Sequence, residues 1–161
     1  MKTWNEAAIQ AVDDIFLTRV VGVQTLIDAR KFLDKFIQDA QNDSVQDAAL
    51  NWRIFGATSL GAGQTAKVIP HRASPEFRGY SSAMAGTLIR KQKDYGPDAI
   101  MRFGTIGILV RTHDKVARLE NLKKKEEEPL NESVKDGYLD LLGYAALGMI
   151  LERGQFPLPM V

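Results

Sequence analysis

The sequence predicts an all-α protein, a helical bundle, from three observations. Capping signatures precede its apolar runs, the apolar residues recur at helical spacing, and no stretch alternates as a half-buried strand does. The first two fix where helices start and which face they bury. The third leaves no sheet to build.

Taken in order, Thr3, Thr25 and Ser44 are each followed three residues later by a carboxylate (Glu6, Asp28, Asp47) able to reach back to the cap amide. Helices are expected to begin at all three. The first should run to about Val21 with Ile9, Val12, Phe16 and Val20 on one face. The second should reach about Ala40 behind a stripe of Leu26, Ala29, Leu33 and Phe36. A third should end near Gly56, where small residues, Gly61, Gly63, Pro70 and Pro75 point to a long loop extending to Arg78. A fourth helix is expected over Ser81 to Tyr95, closed by Gly96 and Pro97. A fifth is expected over Thr105 to Leu122, and a last one from after Asn131 to about Glu152. Between those last two, Lys123 to Pro129 carries a block of positive charge and then its mirror, and reads as a solvated connection. Residues 1–78 form an N-terminal helical region and loop, either part of the same domain or a dimer interface; residues 79–161 form the core that holds the candidate chemistry.

At 161 residues and 45% hydrophobic content the chain can bury a core without staples, and its 21 Lys plus Arg nearly cancel 20 Asp plus Glu. No overall positive field argues for nucleic acid or anionic lipid. The absence of cysteine excludes a disulfide framework, a thiolate nucleophile and a Cys-ligated metal, and is in keeping with the cytoplasm. No signal core or membrane-spanning run is expected, since Asp140 interrupts the longest apolar stretch. With two histidines, His71 and His113, a metal site would rely on oxygen ligands and favour Mg²⁺ or Mn²⁺.

The strongest local signal is Glu132, Asp136 and Asp140, spaced by four and stacked on one face of the last helix. A carboxylate such as Asp140 inside an apolar segment needs a cation facing it. A salt bridge to Arg or Lys would answer that need, and so would a metal ion. The preceding helix offers Arg111, Asp114, Lys115 and Arg118 on one face, so Asp114 is expected to approach Asp136 and Asp140 in a four-acid cluster rimmed by bases. Metal would then relieve repulsion among the acids.

The run Lys91-Gln92-Lys93-Asp94-Tyr95-Gly96, Phe103-Gly104, Arg111, Asp114-Lys115, Arg118-Leu119, Asn121-Leu122, Glu132-Ser133, Asp136, Asp140-Leu141 and Tyr144-Ala145 resembles the phage nucleotide-modification-associated helical family. That family resembles the all-α nucleoside triphosphate pyrophosphatases, the MazG and dimeric dUTPase group. The resemblance covers about residues 81 to 152. It implies a bundle of that type with extra N-terminal helices, a homo-oligomer, most simply a dimer, and a phage protein working in the host cytoplasm.

It also implies hydrolysis of a (deoxy)nucleoside triphosphate to monophosphate and pyrophosphate. Asp114, Asp136, Asp140 and Glu132 would hold Mg²⁺ or Mn²⁺, with Glu132, Asp114 and Lys115 in catalysis. Lys91, Asp94, Tyr95, Arg111, Arg118, Asn121 and Tyr144 would bind the nucleotide. The chain departs from the group where Arg111 stands in place of a metal-binding Glu. The alternative is a nucleotide- or partner-binding helical protein without turnover. A third reading takes His71, His113-Asp114 and Asp140 as an HD-type phosphohydrolase set.

Overall fold

The computed structural model describes residues 2–126, 129 and 132–161. Among them seven α-helices account for the regular structure, with one 3₁₀ turn at Pro75–Gly79 and no strand. The all-α expectation holds.

Helix α1 (Trp4–Leu17) starts where Thr3 Oγ1 accepts from the Glu6 amide at 3.1 Å, and α2 (Leu26–Gln41) starts where the Thr25 amide donates to Asp28 Oδ2 at 2.8 Å. Helix α1 stops four residues short of Val21. The segment beyond it contains Val20, Val21 and Val23, with Gly22 at φ +84, and Val21 is 97% exposed, so no burial offsets the β-branched residues' reluctance to stay helical. Val20 therefore lies outside the helix. Ile9 is half exposed, and Ala7, Ala8, Ala11 and Ile15 complete the buried face in its place. The α2 stripe of Leu26, Ala29, Leu33 and Phe36 is buried as expected.

Helix α3 (Ala48–Thr65) corrects two expectations. Asp47, not Ser44, is its cap, because Asp47 Oδ1 accepts from the Leu50 amide at 3.0 Å while the Ser44 hydroxyl donates back to the Asp39 carbonyl. The small residues after Gly56 are not loop but the rest of the helix. They are small because neighbours crowd them: a Cβ on Gly56 would sit 2.9 Å from Ile15 Cδ1 of α1 and 3.0 Å from Ala145 Cβ of α7 (Val134–Glu152), and one on Gly63 would sit 2.5 Å from Ile69 Cδ1, just beyond the end of α3. Helix α7 is the central member, packing chiefly against α3 and α6 (Gly104–Lys125).

Helix α4 (Tyr80–Tyr95) ends at Gly96, φ +70, with Pro97 behind it, and the four-residue α5 (Asp98–Met101) follows. Helix α6 takes in Lys123, Lys124 and Lys125 before Glu126 turns left-handed at φ 56. Glu127, Glu128 and Asn131, in the expected connection and last helix start, lie outside the described residues.

One hydrophobic cluster takes side chains from all seven helices, so residues on both sides of position 79 share it. The α2 stripe and the buried face of α1 pack within the chain, while Ile9, Leu17 and Ile27 are left exposed. Trp4 and Trp52 are fully buried, with Trp4 edge-on to Phe156 at 5.8 Å and Trp52 edge-on to Phe36 at 4.9 Å. No helix among the described residues is long and apolar enough to cross a membrane.

Candidate functional site

A cavity of about 670 Å³ opens between α4 and α7, with α5 and the middle of α6 at its end. Its size is that of a small-molecule site. Successive turns of α4 give Tyr80, Met84, Leu88, Gln92 and Tyr95 to one wall, and α7 gives Asp136, Leu139, Asp140, Gly143, Tyr144 and Leu147 to the other, so a 3.6-residue repeat on each helix builds the two faces. Helix α6 contributes Arg111. The apolar side chains lie along the walls. The exposed cations Lys91, Arg111 and Lys135 stand at the opening, Lys135 with its ammonium 5.6 Å from the Tyr80 ring centre.

Of the residues singled out from sequence, Lys91, Tyr95, Arg111, Glu132, Asp136, Asp140 and Tyr144 border this cavity. Lys115 and Arg118 lie beside it and act on its acids. The Lys115 ammonium is 2.9 Å from Asp140 Oδ2 and 2.9 Å from Glu132 Oε2, so one cation bridges two carboxylates. Arg118 adds a 3.7 Å ion pair to Glu132 and a hydrogen bond to its carbonyl, while Lys91 lies 3.8 Å from Asp140. Arg111, by contrast, makes no ion pair among the described residues.

Glu132 does not stack on the helix as its spacing suggested. Ser133 is the N-cap of α7, its hydroxyl accepting from the Asp136 amide at 3.1 Å, so Glu132 belongs to the chain entering the helix and reaches Lys115 from there.

Asp114 does not join the acids. It is exposed and does not border the cavity, and it makes no ion pair among the described residues. One position before Lys115 is 100° around the helix, which sends Asp114 to the outer edge when Lys115 faces α7. Asn121, on the same outer edge, is also exposed and outside the cavity wall, and so is Asp94. The four-acid cluster therefore does not form, and among the described residues no group of three or more His, Asp and Glu is placed to hold a metal ion. With Lys115 lying between Glu132 and Asp140, the place a cation would take is filled by an ammonium, and these acids do not fit a resident Mg²⁺ or Mn²⁺.

The HD-type set does not assemble either. His113 Nδ1 is 2.9 Å from the Arg30 guanidinium, and His71 accepts the Ala73 amide in the loop before the 3₁₀ turn.

The electrostatics follow from these contacts. Burial alone would pull the Lys115 ammonium down, but its hydrogen bonds to Asp140 and Glu132 outweigh that and hold its pKa above the ordinary lysine value. Burial pushes Glu132 up, and the Lys115 hydrogen bond and charge more than reverse it, leaving Glu132 below the usual carboxylate range. Asp140 is more deeply buried, and there burial prevails over Lys115 and raises its pKa. Tyr144 is also raised, by burial first and by the Asp140 charge second.

Sequence reasoning passed over Gln92, Tyr80 and Lys135. The signal available for Gln92 was its position one turn beyond Leu88 on the inner face of α4.

The model of a family described as nucleotide modification associated domain 1 matches residues 91–151. That span begins at Lys91 on one wall of the cavity and ends near the close of α7, so it takes in the Lys115 bridge, Arg111 and most of the α7 wall. No curated protein and no solved structure matches the chain at a significant level.

Proposed function

We propose that the cavity between α4 and α7 binds a nucleotide, its phosphates at the cationic opening and its base between the tyrosine and aliphatic walls. The observation that carries this reading is the division of charge in the site. The acids Glu132 and Asp140 are answered by Lys115, Arg118 and Lys91, while the Arg111 guanidinium at the opening makes no ion pair among the described residues. A guanidinium presents paired N–H donors that match phosphate oxygens, so Arg111 is the primary phosphate group, and Lys91 and Lys135 add charge beside it. Tyr95, 72% exposed at the rim, and Tyr144, half buried, are placed to flank a ring. The family match over residues 91–151 supports the same ligand class. Titrating the protein calorimetrically with each common (d)NTP in EDTA tests the reading, which expects saturable binding of at least one.

Metal-dependent pyrophosphohydrolysis is the second reading. With Glu132 and Asp140 held by Lys115 it needs a metal ion that arrives with the nucleotide, and Asp136, which borders the same cavity without an ion pair among the described residues, favours it. Asp114 has no part in it. Incubation of the (d)NTP panel with Mg²⁺ or Mn²⁺, with monophosphate and pyrophosphate read by chromatography, decides between turnover and binding alone.

A further inference from the structure

We infer that Gln92 reads the nucleobase, making the ligand one recognised by the hydrogen-bonding edge of its base and not by its phosphates alone. The inference rests on the nucleotide reading of the cavity and goes one step further into it.

Gln92 is 6% exposed and borders the cavity. Among the described residues nothing hydrogen-bonds its side-chain carboxamide; only its backbone carbonyl is engaged, by the Gly96 amide at 2.8 Å. With no protein partner among those residues, the carboxamide is satisfied only from the cavity side, so a ligand that displaces solvent there must replace its hydrogen bonds or lose them. The side of Gln92 that is open faces the cavity, so the completing group comes from whatever fills that space.

A carboxamide presents one acceptor oxygen and an N–H₂ donor side by side. Its complement is an N–H beside a ring nitrogen or carbonyl, the arrangement on the edges of the nucleobases. Phosphate, with acceptors only, could use the donor and would leave the oxygen unpaired. Leu88, one turn before Gln92, and Tyr95, about one turn after it, border the same cavity, so apolar and aromatic surface lies on either side of the amide. Lys91, Arg111 and Lys135, all exposed, border the same cavity from α4, α6 and α7.

The test compares each dNTP with inorganic tripolyphosphate in EDTA, using the parent, Gln92→Leu and Gln92→Glu, with melting curves to show that each variant is folded. Gln92→Leu keeps the volume and removes both hydrogen bonds. It is expected to weaken the best dNTP about tenfold and to leave tripolyphosphate unchanged. Gln92→Glu accepts twice and donates nothing, so its preference should move toward dGTP, whose base carries two adjacent N–H donors. A Gln92→Leu protein that binds the dNTP panel with parental affinities overturns the role of Gln92 while leaving nucleotide binding intact. A parent protein that binds no dNTP more tightly than tripolyphosphate overturns base reading as well. A parent that binds neither overturns the nucleotide reading on which it rests.

Discussion

The Lys115 ammonium lies 2.9 Å from a carboxylate oxygen of Asp140 and 2.9 Å from one of Glu132, on side chains that are 23%, 22% and 31% exposed. It ties α6 both to the chain entering α7 and to the second turn of that helix. Lys115→Met leaves two part-buried carboxylates facing each other. Stability should fall by about 2 kcal/mol, less than the roughly 3–5 kcal/mol of a fully buried pair because solvent still reaches these groups. Urea unfolding measures it. The same variant should gain thermal stability with millimolar Mn²⁺ while the parent does not, since a freed pair of acids can take a cation that Lys115 now replaces.

The bridge also gives stability a definite pH dependence. Glu132 is held below its ordinary value of 4.5, so its contribution is present above that pH and is lost as pH falls through the lower folded value. Lys115 is held above 10.5, so its contribution is present below that pH and is lost as pH rises through the higher folded value. The stability difference between parent and Glu132→Gln should therefore be constant near neutrality and shrink below about pH 4.5. A difference that stays the same from neutrality to pH 3 would show that the Glu132 charge is not what Lys115 holds.

Gly148 on α7 faces Trp52 on α3, and a Cβ at this position would overlap the indole ring. Trp52 is fully buried and wedged against Phe36 and Phe55, leaving it no room to move. Gly148→Ala should cost about 1–3 kcal/mol by overpacking, despite alanine's better helix propensity. A melting temperature at or above the parent's would mean that α3 and α7 are not in the close contact described.

That contact also explains which parts of the fold could be read from the sequence. The caps at Thr3 and Thr25 are bonds between residues three apart, so local spacing reveals them. The small residues that carry α3 through Gly56, Gly61 and Gly63 answer to neighbours outside the helix, Ile15 and Ala145 at Gly56, Gln24 at Gly61 and Ile69 at Gly63, and locally those glycines look like a loop. The site shows the same division. The spacing of Glu132, Asp136 and Asp140 put three acids on one helix face; Asp136 and Asp140, which lie on the regular helix, share a cavity wall, whereas Glu132 precedes the helix. Asp114 was misplaced because helical periodicity says which residues share a face but not which way the face turns. Gln92 was missed because burial, not residue type, gives a glutamine its meaning.

Gly143 borders the cavity, and a Cβ there would meet only Leu88 Cδ2, at 3.8 Å, so the position has space for a side chain. Gly143→Leu should leave the fold as stable as the parent or somewhat more so, since a helix-interior glycine is replaced by a good helix former. The new side chain occupies ligand space, and nucleotide affinity should drop at least about tenfold. Parental affinity in this variant would place the nucleotide somewhere else on the protein.

The central claim is that the opening at Arg111 takes the phosphates of a nucleotide, and calorimetric titration of the preferred dNTP in EDTA into parent, Arg111→Ala and Lys35→Ala tests it most directly. Lys35 sits on α2, paired with Asp39 and away from the cavity, and serves as the control for nonspecific charge. Saturable binding by the parent, about tenfold weaker in Arg111→Ala and unchanged in Lys35→Ala, is the predicted result. Equal affinities in parent and Arg111→Ala, or no binding of any dNTP by the folded parent at millimolar concentration, would contradict it.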